Sequence, residues 1–492
     1  MADIEVVHVN ESFVQINAER PYLKEIAQEF SFYAKNYVFH PRYKAKMWDG
    51  KISLFKTSTR MLPKGLLSRL DTWGEHNKRS IAYDQRVLET LSPFEVDDED
   101  ILTLYKKIDG PFEPLDTQID AVSHCINNGR AVILSPTSNG KSYMMHGLAA
   151  FFAMQKKRVL IIIDRSQLVE QLKENMRDEY LGGQKFRIHS VYENPDINQT
   201  DIYVTTWQSC YEMPEKWFQQ FDVLIGDELH KFKANSIQMI NDKIGHISWR
   251  FGFTATLDNG SVTDRLTIIG MFGPTHRVAT IKELIELGIS ARPTIYMVRL
   301  VYPEHECVNI RGLDYRDESR YLERHEKRNR IIQSFVPKLP GNRLVAFKSH
   351  DHGMTLVEMI KEVNDGKAPF FADYTVSKER RIAISKQIDL MDDAIGVVSL
   401  GTFSTGINIK KVNSLLITCL FKSAITVPQL IGRTLRVTKT KTSSTIIDIG
   451  DDMRSCVQGN QYDNISYRHF MERKKIYEND GFEVIEKTIY VD

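Results

Sequence analysis

From residue 130 onward, short β-rich apolar segments recur at 131–134, 159–163, 202–205, 222–225 and 251–254, separated by stretches with helical patterning. Alternation of this kind predicts a parallel sheet covered by helices on both faces. The rhythm falters between about 271 and 330, where Gly273-Pro274 and Arg292-Pro293 punctuate the chain, and resumes at 344–347, 396–399, 415–418 and 445–449. A second α/β lobe is therefore expected after the first. Residues 1–109 lack the pattern and close on an acidic run, 95–100, with the texture of a linker or a solvated helix start. The chain divides on this reading into a small α+β domain at 1–109, a lobe at 110–280, a second lobe at 281–455 and a small appendage at 456–492.

Length agrees, since 492 residues exceed one compact core. Charge changes the picture more. With 65 basic against 64 acidic side chains the molecule has no net field to draw it onto a polyanion, so any nucleic-acid affinity must come from a local patch. Such a patch exists: residues 35–69 hold nine basic side chains and one acidic one, Asp49, interleaved with aromatics. Arg42, Lys44, Lys46 and Lys51 are candidates for phosphate contacts, and Tyr43 and Trp48 for base stacking or a wedge. Trp48-Asp49-Gly50-Lys51 reads as a turn into a strand, and Trp48 is equally suited to packing beneath it. The five cysteines have no paired spacing of the kind zinc or redox motifs need. No apolar run is long enough to span a bilayer and the start has no signal-peptide pattern, so a soluble cytoplasmic protein is expected, with no membrane partner.

The strongest chemical signal is Ser135-Pro136-Thr137-Ser138-Asn139-Gly140-Lys141-Ser142, set between a predicted strand and an apolar helical run. A glycine-containing loop entering a helix can cradle phosphates with backbone N–H groups; Lys141 would reach the β and γ phosphates and Ser142 would ligate magnesium. Asp227-Glu228-Leu229-His230 follows the apolar strand 221–225, placing two carboxylates where ligands of such sheets bind. Asp227 would hold magnesium, and Glu228 would orient or deprotonate the attacking water.

Together these two motifs resemble those of the DExH helicases of superfamily two. The resemblance implies two tandem RecA-like lobes, ATP and Mg2+ as cofactors, and roles for further matching residues. Gln118 corresponds to the adenine-reading glutamine, although Thr117 stands where an aromatic often precedes it, leaving Phe112 as the candidate stacking partner. Thr254-Ala255-Thr256 matches the motif that links hydrolysis to lobe movement, with His230 and Gln429 in related coupling positions. Thr205-Thr206-Trp207-Gln208 falls where the family contacts the tracking strand, through Thr206 and Gln208. In the second lobe Thr402, Gly406 and Asn408 match a motif touching backbone and nucleotide. Arg433 and Arg436, three apart on one helix face, match the arginine finger.

The segment 39–55, with Phe39-His40-Pro41-Arg42-Tyr43 ending in Trp48-Asp49-Gly50-Lys51, is similar to the amino-terminal domain of the UvsW-type helicases of tailed bacteriophages. That resemblance implies ATP-driven unwinding or migration of branched DNA, such as four-way junctions, displacement loops and forks, in a host-cell cytoplasm, with no obligate protein partner. The motor motifs alone leave open an RNA helicase, a duplex translocase that does not separate strands, or a scaffold with a vestigial ATP site.

Overall fold

The computed structural model describes residues 2–491 except 89–93, 138, 181–185, 194–198, 233, 258–260, 406–408, 410, 423–425, 436–440 and 458–459. The chain divides into two compact units, Met1–Ala279 and Thr280–Asp492.

The first unit opens with a four-stranded sheet. Phe13–Ala18 runs antiparallel to Ile4–His8 and to Met61–Pro63, and Ile81–Tyr83 lies parallel to Ile4–His8. Alternation along the strands explains the one-sided core: Ile4, Val6, Val14 and Ile16 are fully buried, while Glu5 between two of them is exposed. Helices Arg20–Glu29 and Leu67–His76 cover that face with Leu23, Ile26, Leu70 and Trp73. A separate two-stranded ribbon, Ser31–Tyr33 with Lys51–Ser53, brackets the basic segment.

The second sheet of this unit has seven parallel strands in the order Thr275–Arg277, Arg130–Leu134, Trp249–Thr254, Val223–Asp227, Val159–Ile163, Ile202–Thr206, Ile188–Ser190. Its strands are apolar at consecutive positions because both faces are covered. Val159, Ile161 and Ile163 enter one core, whereas Leu160 and Ile162 enter the other. The acidic run at 95–100 is a helix start: Asp97 caps helix Asp98–Lys107, and Ile101, Leu104 and Tyr105 pack into the core of the large sheet.

The two sheets of the first unit are joined by a buried polar junction. Glu11, on the turn between the first two strands, accepts from Lys64 Nζ at 3.0 Å and from Arg130 at 3.1 Å. The fully buried guanidinium of Arg250 donates to Ser12 Oγ (2.9 Å), Asn241 Oδ1 (2.7 Å) and the carbonyls of Ile244 (2.7 Å) and Ile247 (2.8 Å). Gly65 packs so tightly against helix Val262–Phe272 that a Cβ there would lie 2.0 Å from the Ile269 carbonyl oxygen. Leu266 of that helix belongs to the core of the small sheet.

The second unit is built on another all-parallel seven-stranded sheet, ordered Phe370–Ala372, Ile395–Ser399, Arg343–Phe347, Ser414–Ile417, Ser443–Asp452, Arg292–Val301, Glu483–Tyr490. The last of these strands comes from the segment expected as an appendage; it pairs in parallel with Arg292–Val301 and forms the sheet edge. Helix Ile465–Asn479 is fastened to the same sheet by buried charge. Arg473 bonds both oxygens of Asp448 (2.8 and 2.6 Å), Tyr477 donates to Asp448 (2.7 Å), and Glu318 accepts from the N–H groups of Ile465 (2.8 Å) and Ser466 (2.6 Å) at the helix start.

Candidate active site and nucleic-acid surface

Three neighbouring strands of the large sheet in the first unit end side by side, with Leu134 in register with Thr254 and Asp227 in register with Phe253. This register brings the loop 135–140, the Asp227-Glu228 pair and Thr254 to one edge. Ser135 N–H donates to the Thr254 carbonyl at 3.0 Å, tying the loop to the neighbouring strand. Gly140 then turns the chain into helix Lys141–Met154 with φ +73°; a Cβ there would lie 2.4 Å from Gln118 Nε2.

Side chains preform the loop. Asn139 donates to Ser135 Oγ (3.0 Å) and accepts from Thr117 Oγ1 (2.9 Å), while Gln118 Nε2 donates to the Asn139 carbonyl (3.0 Å) and Gln118 Oε1 accepts from Leu115 N–H (3.1 Å). Gln118 and Thr117 thus brace the loop from behind. Thr117, which stands where the family often has an aromatic, contributes a hydroxyl that only a small polar residue could supply. Phe112 is exposed, and its carbonyl accepts from Tyr143 Oη at 2.7 Å. Lys141 Nζ lies on the loop, donating to the Ser135 carbonyl at 3.2 Å.

The donor set fits a magnesium nucleotide. The Thr137 hydroxyl is buried with no hydrogen-bond partner among the described residues, suited to a phosphate oxygen. Burial, reinforced by the adjacent Glu228 carboxylate, pushes Asp227 up to about 7, a penalty that Lys141 reduces and a nearby cation would relieve. Asp227 and the Ser142 hydroxyl could supply hard oxygen ligands to a cation carried largely by phosphates. Among the described residues no cluster of three or more His, Cys, Asp or Glu forms a self-sufficient metal cage.

Glu228 has left-handed backbone, φ +51°, and its N–H donates to Asp227 Oδ1 at 2.9 Å. From it a polar chain runs inward: Glu228 Oε2 lies 3.3 Å from His230 Nδ1, which lies 2.8 Å from Thr254 Oγ1, and Thr254 donates to the Thr256 carbonyl at 2.8 Å. Since the Thr254 proton is used on Thr256, His230 must be the donor to Thr254. Burial holds the imidazole below its usual range, keeping it neutral.

Other expected residues occupy different settings. Thr206 is buried, its hydroxyl capping helix Trp207–Cys210 through Ser209 N–H at 3.2 Å, while Gln208 is exposed and donates to the Asp164 carbonyl at 2.9 Å. In the second unit Thr402 is buried and accepts from the Ser399 hydroxyl at 2.8 Å. Gln429 is buried in helix Thr426–Thr434, and Arg433 of the same helix lies over the Phe403 ring at 5.8 Å. Ser138, Gly406, Asn408 and Arg436 lie outside the described residues.

Two family models match: "DNA helicase UvsW, N-terminal" over residues 3–84 and "Type III restriction enzyme, res subunit" over residues 111–259. The ATP-dependent DNA helicase uvsW of Enterobacteria phage T4 is 28% identical over 503 residues, covering 99% of both chains. The chain resembles the UvsW-type helicases along its whole length. The crystal structure of T4 UvsW superposes over 100% of both chains with a TM-score of 0.52 at 27% identity. Yeast Dbp5 bound to RNA and ADP BeF3 shares the fold at 12% identity, with a TM-score of 0.52 over 80% of this chain and 94% of that one. The UvsW likeness includes the amino-terminal sheet and its basic segment.

In that segment Arg42, Lys44 and Lys46 are exposed and form no ion pair among the described residues. Lys51 lies over the Tyr33 ring at 5.1 Å. Tyr43 packs edge-on against Tyr37 (4.8 Å), and Trp48 packs edge-on against His40 (5.1 Å) while its Nε1 donates to the Lys51 carbonyl (2.7 Å). Both aromatics are partly buried in the ribbon itself. Sequence reasoning missed Phe39 and Met47, which are more exposed than either; no sequence period marks them, because the segment is neither helix nor strand for long enough.

Proposed function

We propose that the chain is an ATP-dependent DNA helicase that remodels branched DNA. The observation that carries this reading is the preformed phosphate loop beside Asp227 and Glu228, in one compact unit with a segment whose Arg42, Lys44 and Lys46 are exposed. Lys141 and the loop N–H groups bind the phosphates, and Ser142 and Asp227 would hold a magnesium ion, whose chemistry would be to neutralise phosphate charge. Glu228 orients the attacking water and takes its proton. The His230–Thr254–Thr256 chain ties the position of Glu228 to the segment beyond the strand, a route for reporting hydrolysis. The helicase resemblance assigns Arg433 and Arg436 to stabilising phosphate charge during transfer. Arg42, Lys44, Lys46 and Lys51 engage the DNA backbone, and of the three residues expected on the tracked strand the exposed Gln208 is the one placed to reach it, Thr206 and Thr402 being buried.

The test is dissociation of a synthetic four-way DNA junction with ATP and magnesium, run beside Lys141→Ala. Wild type should separate the junction and the variant should not. Intact junctions despite DNA-stimulated hydrolysis would restrict the reading to a translocase, and stimulation by RNA in place of DNA would overturn the substrate.

A further inference from the structure

We propose that Phe39 and Met47 form an apolar tip that inserts against unpaired or unstacked bases where a DNA duplex ends or branches. The inference rests on the reading that this chain acts on DNA. Phe39 is 72% exposed and Met47 74% exposed.

The backbone holding them is stiff. Asn36 takes the left-handed conformation, Tyr37–Phe39 makes a short turn, and His40 caps helix Pro41–Lys44 by accepting from Arg42 N–H at 3.3 Å. Met47 N–H then closes back onto the Arg42 carbonyl at 2.8 Å. Phe39 and Met47 each directly precede one member of the His40–Trp48 contact, so the chain carries their backbone positions close to each other. Beneath, the Tyr33–Tyr37 stack (4.5 Å) and the Tyr37–Tyr43 contact make a platform against Gly50, where φ is +83° and a Cβ would lie 2.4 Å from the Tyr37 ring. A rigid apolar projection can unstack a base step only if it does not fold back on itself, and the aromatic packing beneath prevents that.

Charge selects the occupant. Arg42, Lys44 and Lys46 stand between the two apolar side chains in sequence, all exposed, so whatever meets the tip presents flat apolar faces within a strongly anionic frame. Nucleic acid has both. Two side chains offer too little apolar area to hold a lipid surface on their own.

The experiment uses forked DNA carrying 2-aminopurine at the branch point and a separate anisotropy label at the far duplex end, without ATP. Wild type at saturation should raise the 2-aminopurine signal. The Phe39→Ala, Met47→Ala double variant should show less than about half that rise. It should still bind within about fivefold of wild-type affinity, because phosphate contacts supply most of the attraction. Phe39→Trp should restore the signal. An equal rise in the double variant, or none in saturated wild type, would overturn the tip. Capture by anionic vesicles that the double variant loses, without a fluorescence difference, would reassign it to lipid. DNA binding with normal fluorescence but no DNA-stimulated ATP hydrolysis would sink the motor reading and leave the tip standing.

Discussion

On the proposed reading Glu228 is the general base. Its left-handed backbone and its bond to Asp227 hold the carboxylate in place, and its side chain contacts His230. Glu228→Gln preserves volume and should retain nucleotide binding while lowering ATP turnover by at least about a hundredfold, the usual scale for losing a general base; equal turnover by steady-state phosphate release would remove it from that role. His146 offers a different test. It is fully buried on the helix after the phosphate loop, beside the Tyr143 and Tyr180 rings, with neither ring nitrogen hydrogen-bonded among the described residues. Burial pushes it down to about 3, whereas the unfolded chain takes up this proton near 6.5. Its contribution is thus complete above pH 6.5 and is lost as pH falls toward 3, at up to about 1.4 kcal/mol per pH unit. Between pH 7 and pH 5 wild type should lose about 2 kcal/mol more stability than His146→Leu in urea unfolding. The motif residues were legible because phosphate and water chemistry demands specific side chains. The use of Thr117 to hold Asn139 was not, since it depends on a contact between residues 22 apart.

At the scale of elements, the buried strands declared themselves through continuous apolar runs, and the loop, Asp-Glu pair and Thr254 fell at strand ends as expected. The closing helix and strand of the second unit were poorly legible for a physical reason. Glu483–Tyr490 is an edge strand with much of its surface exposed, so its sequence, Glu-Val-Ile-Glu-Lys-Thr-Ile-Tyr, alternates weakly and looks like a tail. What fastens helix Ile465–Asn479 is charge buried in pairs, and polarity in a sequence ordinarily signals surface. Asp448→Asn strips the counter-charge from the fully buried Arg473 and weakens its bond with Tyr477. The expected cost is about 3–5 kcal/mol, read as a lower urea midpoint for the second unit. A change under about 1 kcal/mol would show that the pair is not what anchors the helix.

For the molecule as a whole, the texture change near residue 109 predicts a separate amino-terminal domain, and Glu11, Ser12 and Gly65 join the residues before 109 to the large sheet and its helices. Removing residues 1–109 would strip Ser12 from Arg250, expose Leu266, and take away helix Asp98–Lys107 with its share of the large sheet's core. The fragment 110–279 should therefore aggregate on expression, whereas 1–279 should be monodisperse in size-exclusion chromatography and bind ATP. A well-behaved 110–279 would show the junction to be dispensable. Sequence could not announce this junction, because its residues, Glu11, Lys64, Arg130 and Arg250, are far apart in the chain and each looks like an ordinary surface charge.

The Arg130 and Arg250 anchors sit at the opening residues of the two strands that run to Leu134 and Thr254, the very strands whose far ends hold the phosphate loop and the threonine relay. A DNA branch bound, as proposed, by the amino-terminal module would therefore share one compact unit with the nucleotide. Such an arrangement would work as a ruler, with the distance from the branch to the phosphate loop set by the buried junction at Arg130 and Arg250.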